Sequence, residues 1–216
     1  MAASVERGTR ERILEVAEAF LGERGYDGTR LHLIAQRVGI QKASLFHYFP
    51  SKEHLYRAVL HEGFGETEQT IRRVLESEGK PLDKILWLIE AYVDMVAAHP
   101  ERTKILLRQS LGDAPDGYQE QPESQRLLNL VVDFVAAGQR IGALAPIDPV
   151  AAVLGVVGMV AFFFTSAPVL APTWCGQPLT KESVEQVKRN VVEVARRCLA
   201  PSQPDQLAVA EAQARG

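Results

Sequence analysis

The chain has 216 residues, 46% of them hydrophobic and 24% charged, which is enough apolar material for the core of one large or two modest globular domains. A formal net charge of -3 excludes a polybasic coat for nucleic acid, and the two cysteines, Cys175 and Cys198, lie in no C-x-x-C pair and beside no histidine cluster, so no zinc site or disulfide framework is readable. The N-terminal segment MAASVERGTR has no apolar h-region, so no secretory signal is expected and the protein is read as cytoplasmic.

Strand signals are nearly absent. There is no Asn-Gly hairpin turn and no sustained period-two alternation, whereas helical periodicity recurs along the whole chain. The expected fold is all-α. A first helix over about 10–24 carries Ile13, Ala17, Phe20 and Leu21 on one face, with Thr9 as its expected N-cap and Gly25 as its expected end. Thr29 is expected to cap a short second helix, whose stripe is Leu31, Ile34, Ala35 and Val38 and which Gly39 stops in a left-handed turn. A third short helix over about 42–49 places Leu45 and Phe49 one turn apart, and Pro50 breaks it. Ser51 caps a long fourth helix to about 77, in which Gly63 and Gly65 mark either a bend or a break into two shorter helices. Longer helices follow from Pro81 to before Pro100, over about 101–111, and over 123–141, with a loop at 112–122. An uncharged segment, 150–171, precedes a Pro/Gly break at 168–178. A last helix over 181–199 repeats Val184, Val187, Val191, Val194 and Cys198 at spacings of 3, 4, 3, 4, the seam of a helix packed on a partner.

Residues 29–49 have the layout of a helix-turn-helix: a short helix, the turn Gly39-Ile40-Gln41, and a second helix that can enter a major groove. Leu45 and Phe49 are expected to face inward, leaving Lys42, Ser44, His47 and Tyr48 outward with a cation, hydroxyls and rings suited to DNA edges. Charge agrees with this reading. Residues 1–60 hold nine Lys/Arg against seven Asp/Glu, the rest 15 against 20, and His32, His47 and His54 lie in the basic part. Lys52, a cation at the start of its own helix, is electrostatically unhelpful there and is expected to meet phosphate. His54 and His61 lack a third ligand, so no metal site is expected.

The run TRERILEVAEAFLGERGYDGTRLHLIAQRVGIQKASLFHYFPSKEHLYRAVL (9–60) resembles the DNA-binding head of the TetR/AcrR family of transcriptional regulators. Its most specific part is VGIQKASLFHYFPSKEHL (38–55): a glycine turn, Leu-aromatic-x-aromatic-Phe, then Ser-Lys-Glu-x-Leu. The resemblance implies DNA contacts at Thr29, Arg30, Gln41, Lys42, Ala43, Ser44, His47, Tyr48 and Lys52. Gln41 stands where a Ser or Thr usually caps the recognition helix, and Phe46 stands where a Tyr is common. The resemblance further implies a three-helix head over 9–60, a helical dimerisation and ligand-binding body over 61–200, and flanking segments 1–8 and 201–216. It implies a homodimer on a palindromic double-stranded operator, with a small-molecule effector in the body and no cofactor.

For the dimer, Ala151, Gly155, Gly158 and Phe162 lie near one face of the uncharged helix. Together with Val184, Val187, Val191, Val194 and Cys198 they are the expected interface. Residues 150–171 pass a bare length test for a membrane span. However, Gly155, Gly158, Ser166 and Pro168 interrupt them and no Lys/Arg cluster flanks them, so a buried helix is favoured and no membrane partner is expected. Apolar candidates for an effector pocket are Trp87, Tyr92, Met95, Phe134, Met159, Phe163 and Trp174, with Arg108 and Gln109 as polar anchors; such a lining suits a hydrophobic compound better than a sugar. No catalytic residue is expected: G-x-S-x-G, H-E-x-x-H and a phosphate-cradling glycine loop are all missing. Repressor and activator are not distinguished at this level, although release from an operator by a ligand is the favoured reading.

Overall fold

The computed structural model describes residues 8–115, 122–174 and 179–201, without the side chains of 122, 168 and 170–174. All but residues 8 and 201 of the flanking segments expected at 1–8 and 201–216, together with Cys175 and the side chain of Trp174, lie outside the described residues. Within them the chain forms nine helices and no strand: α1 (Thr9–Gly28), α2 (Leu31–Val38), α3 (Lys42–Tyr48), α4 (Lys52–Glu76), α5 (Pro81–Ala98), α6 (Pro100–Ser110), α7 (Pro122–Arg140), α8 (Pro149–Trp174) and α9 (Lys181–Leu199). They divide into two compact units, one up to Gln69 with Val96–Arg126, the other Thr70–Met95 with the chain from Leu127 onward.

The first unit is built on the periodic residues. Ile13, Leu14, Ala17 and Leu21 of α1 meet Ile34, Ala35 and Val38 of α2, Leu45 and Phe49 at α3, and Leu55, Tyr56, Val59 and Leu60 of α4. Ile105 of α6 joins the same core. Each is almost fully withdrawn from water, and burying a side chain of this size contributes about 1.5–3 kcal/mol. Two expectations for α1 are corrected. Its N-cap is Gly8, with no side-chain cap bond, and Thr9 already lies in the first turn. The helix also does not end at Gly25 but continues to Gly28 across a kink there (φ 73, ψ -178).

The kink is held from α6. Asp113 Oδ1 accepts from the Tyr26 N–H at 3.0 Å, and Arg108 donates to the Gly22 and Glu23 carbonyls at 3.3 and 3.1 Å. Only glycine fits at 25, because a Cβ would lie 2.1 Å from Asp113 Oδ2 on a backbone that already has positive φ. A charged cluster ties the other ends of the same helices: Arg102 donates to Glu18 at 2.7 Å and to Glu66 at 2.6 Å, and His99 lies 3.2 Å from Glu18. Burial opposes the Arg102 charge, but the bonds to Glu66 and Glu18 outweigh it and raise the guanidinium pKa. The two glycines of α4 make no break, since the helix is continuous from Lys52 to Glu76. At Gly63 a Cβ would approach Arg102 Cδ to 3.1 Å, so this glycine makes room for the bridging arginine.

In the second unit α7 ends at a left-handed Gly142, and the Gln139 amide bonds the Ala145 and Ile147 carbonyls across the turn. Asp148 accepts from the Ala151 N–H at 2.7 Å and so begins α8. The expected break at 168 is absent: α8 runs through Pro168 to Trp174. A helix can lose the one hydrogen bond that proline removes when a packed face holds it, and Val160, Ala161, Phe163, Phe164 and Ala167 supply such a face. Thr180 caps α9, accepting from the Ser183 N–H at 3.2 Å. The expected α9 seam divides between two faces. Val187 and Val191 are buried with Ser183, Ala195 and Leu199, whereas Val184 is half-buried and Val194 and Cys198 are exposed. α9 spends its four-residue stripe on α8 of its own chain, so Val187 and Val191 are core residues and not interface residues.

Candidate nucleic-acid interface

The turn between α2 and α3 is fixed by backbone geometry. Gly39 takes φ 82, ψ 32 and donates to the carbonyls of Ala35 and Gln36, and the Ile40 N–H returns to Ala35 as well. This arrangement satisfies the last carbonyls of α2 and reverses the chain at a residue without Cβ strain. Arg12 of α1 clamps the same end, donating to the Val38 carbonyl at 2.6 Å. Gln41 stands at the N-cap of α3 and makes no side-chain cap bond, so its amide stays in solvent. Leu45 and Phe49 anchor α3 to the core at 0% and 4% exposure. Gln41, Lys42, Ala43, Ser44, Phe46, His47 and Tyr48 are all exposed. Ser51 then caps α4, accepting from the His54 N–H at 3.2 Å.

The electrostatics of this surface go beyond what the head's overall balance indicated. Between Gly28 and Lys52 there is no Asp or Glu, while Arg30, Arg37, Lys42 and Lys52 supply four fixed cations, and His32 and His47 two further ring donors. Arg30, His32, Gln36 and Arg37 are exposed alongside the α3 residues. A run of turn, helix, turn and helix with its anchors buried and only cations, amides, hydroxyls and rings outward is a surface for a polyanion with readable edges. Arg37 was not among the expected contacts; the uninterrupted absence of acids was the signal that could have found it.

One expected contact, Thr29, changes role, and another, Lys52, has a further partner within the head. Thr29 does not cap α2, whose N-cap is Arg30. It is 2% exposed, its hydroxyl donates to the Gly25 and Phe20 carbonyls at 2.7 and 3.1 Å, and its N–H bonds Tyr26. Its hydroxyl and its N–H are therefore both engaged in closing α1. Lys52 is half-buried, with Nζ 4.3 Å from the centroid of the Tyr26 ring and 3.4 Å from the Asp27 carbonyl. Burial lowers its pKa, against the attraction of Asp27 and Asp113.

The expected effector residues fall into two groups. Trp87, Tyr92, Met95, Phe134, Met159 and Phe163 all belong to the second unit. Trp87 is exposed, Phe163 is buried edge-on against Phe164, and the others are half-buried. Burial pushes the Tyr92 phenol up to about 12. Arg108 is corrected: it lies in the first unit, bound to α1 carbonyls and to Asp113 at 3.5 Å, and is no ligand anchor. Gln109 likewise accepts from the Tyr56 hydroxyl at 3.4 Å. Among the described residues no group of three or more His, Cys, Asp or Glu could hold a metal.

These features define a helix-turn-helix DNA-binding protein. Residues 13–59 match the family model described as "Bacterial regulatory proteins, tetR family". Along most of its length the chain is similar to the HTH-type transcriptional regulator RutR of Escherichia coli, 28% identical over 87% of this chain and 90% of that protein. It is also similar to the HTH-type transcriptional repressor KstR2 of Mycolicibacterium smegmatis, 25% identical over 82% and 85%. The fold is shared with the ketosteroid transcriptional regulator KstR2 of Mycobacterium tuberculosis (TM-score 0.73, 23% identity, 93% of this chain and 99% of that one). It is shared too with AibR in complex with isovaleryl coenzyme A and operator DNA (TM-score 0.70, 20% identity, 87% and 97%). Residues 13–59 thus form a DNA-binding head of the tetR type, in an all-α protein with an N-terminal helix-turn-helix and a helical body that is similar over most of its length to HTH-type transcriptional regulators.

Proposed function

We propose that this regulator is a cytoplasmic homodimeric repressor that leaves a palindromic operator when a small, mainly apolar effector binds in its body. The observation that carries the DNA-binding half is the acid-free, outward face of residues 28–52. Arg30, Gln41, Lys42, Ala43, Ser44, His47 and Tyr48 stand on it, and Thr29 serves from beneath by closing α1. The palindrome follows from symmetry, because two identical heads read two inverted half-sites.

Support for the dimer comes from α8. Val150, Leu154, Val157 and Phe162 are exposed, Phe162 by 63%; Ala151 is exposed beside them, and Gly155 and Gly158 have open space where a Cβ would go. Val194 and Cys198 are open on α9. Pro149–Ala167 is long and apolar enough to cross a membrane, but its other face is already committed to packing on α9, which favours a second copy as the cover. Support for an apolar effector comes from the composition of the body and from a structural neighbour described as a ketosteroid transcriptional regulator. Selection from a random duplex library, followed by titration across salt, tests the reading. The expected result is an inverted repeat bound by one dimer, with log affinity falling linearly in log salt; a monomer bound to no preferred sequence overturns it.

A further inference from the structure

Phe46 is the one large hydrocarbon among the exposed residues of α3, 38% exposed and without any hydrogen-bonding group. A lone exposed apolar side chain needs no explanation on an ordinary surface. Here it stands inside the acid-free face. One turn earlier on the same helix, Lys42 holds its Nζ 5.6 Å from the centre of the Phe46 ring, within cation–π range. The ring takes up one side of the ammonium and leaves its N–H donors free, since Lys42 makes no ion pair among the described residues. Hydrocarbon and cation thus reach out as a pair. In a major groove the base-edge group that matches hydrocarbon is the thymine C5-methyl, and the acceptor pair that matches an ammonium is guanine O6/N7.

We propose that Lys42 and Phe46 act as one specificity element, Phe46 seated on a thymine methyl and Lys42 on the acceptor edge of a guanine at the neighbouring base pair. The proposal rests on the DNA-binding reading above and deepens it. Successive base pairs are about 3.4 Å apart along the duplex, and side chains one turn apart that touch at their ends are close enough to meet adjacent pairs. The ring has a second effect. It confines the ammonium, so less conformational freedom is lost when Lys42 engages the base.

The test uses the full chain and a random duplex library at fixed salt. The half-site selected by the parent should contain an invariant thymine next to a guanine. Deoxyuridine in place of that thymine removes a single methyl and should weaken parent binding roughly fourfold, the value of one buried methylene. Phe46→Ala should bind thymine and deoxyuridine sites equally, with unchanged helicity and melting because its ring is outside the core. Lys42→Met should lose the guanine preference and keep the methyl discrimination. Parent and Phe46→Ala showing the same thymine-to-deoxyuridine ratio would overturn the element while leaving the regulator reading intact. A library from which the parent selects no sequence would overturn both.

Discussion

α3 and α8 both leave a face uncovered, and the difference between the two faces shows what each is for. On α3 the anchors Leu45 and Phe49 are buried, and the outward residues are cations, an amide, a hydroxyl and rings, with no carboxylate nearby to repel phosphate. On α8 the buried side is Val153, Val160, Phe163 and Phe164, yet the outward side is also apolar: Val150, Leu154, Val157, Phe162 and Val169. A polar open face costs the free protomer little, because water satisfies it until a polyanion displaces counterions. An apolar open face of this size is unfavourable in water unless something covers it permanently. Under the proposed function the first is a reversible reading surface and the second is covered by a lasting partner.

The sharpest way to break this comparison is Gly158→Arg. A Cβ at 158 meets nothing within 4 Å, so the protomer has room for the substitution and should keep its helicity. In a dimer the same arginine would be an unpaired buried charge, which costs about 3–5 kcal/mol. Sedimentation should therefore show a folded monomer at concentrations where the parent is a dimer, and operator affinity should fall with it. A Gly158→Arg protein that stays dimeric would place the interface elsewhere.

The second test concerns the kink of α1 in the first unit. Gly25→Ala adds a methyl group at positive φ with an extended ψ, a backbone essentially only glycine adopts, against the Asp113 carboxylate. Strain of that region, about 1–3 kcal/mol, adds to displacement of Asp113 from the Tyr26 N–H, for a loss of roughly 3 kcal/mol in all. Chemical denaturation of the variant should register this, and Gly39→Ala should lose less, because nothing crowds a Cβ there. Equal losses at the two glycines would show that φ alone, and not the α6 clasp, sets the cost.

The body gives a smaller, pH-dependent effect. Burial raises the Tyr92 pKa from 10.0 to about 12. The folded state then holds its proton where the unfolded chain has lost it, so the contribution of Tyr92 is fully present below pH 10 and fades as pH rises to 12. Two units correspond to about 2.7 kcal/mol at most. Alkaline unfolding of Tyr92→Phe should lack that part of the decline, and tyrosinate absorbance of the parent should show one late-titrating phenol. A variant curve parallel to the parent's between pH 10 and 12 would remove Tyr92 from the buried set.

What the sequence disclosed follows the same division. The head was legible residue by residue: Gly39 as a left-handed stop, Ser51 as a cap, and Leu45 and Phe49 inward depend only on contacts within a few turns. Thr29 misled because capping and buried hydroxyl bonding use the same residue type, and which one occurs depends on the kink at Gly25, which α6 holds from more than 80 residues away. Val187 and Val191 misled for a related reason. A heptad-like stripe states that a helix packs, not whether its partner is its own chain or another. Arg108 was offered to a ligand because a lone cation on a helix gives no sign that the carbonyls it serves belong to α1.

The smallest expected effect decides what Lys52 does. Two descriptions of this residue are compatible with its position at the head of α4. As a strap, it lays its ammonium on the Tyr26 ring and on the Asp27 carbonyl and so holds the end of α1 against α4. As a phosphate ligand, it offers DNA the donors that the strap leaves over, from a helix N-terminus where a cation gains nothing from its own helix. Burial, the leading influence on its pKa, destabilises the charge in the free protein, and a phosphate would relieve that cost. Lys52→Met removes the ammonium from both, and melting temperature and salt dependence then read the two roles apart. A phosphate contact predicts that the salt slope drops by about 0.9, and that operator and random duplex lose affinity alike, since phosphate carries no sequence. The strap alone predicts a lower melting temperature with an unchanged slope. The first outcome is expected; the second would confine Lys52 to the interior economy of the head and leave Arg30, Arg37 and Lys42 as the cations that face the duplex.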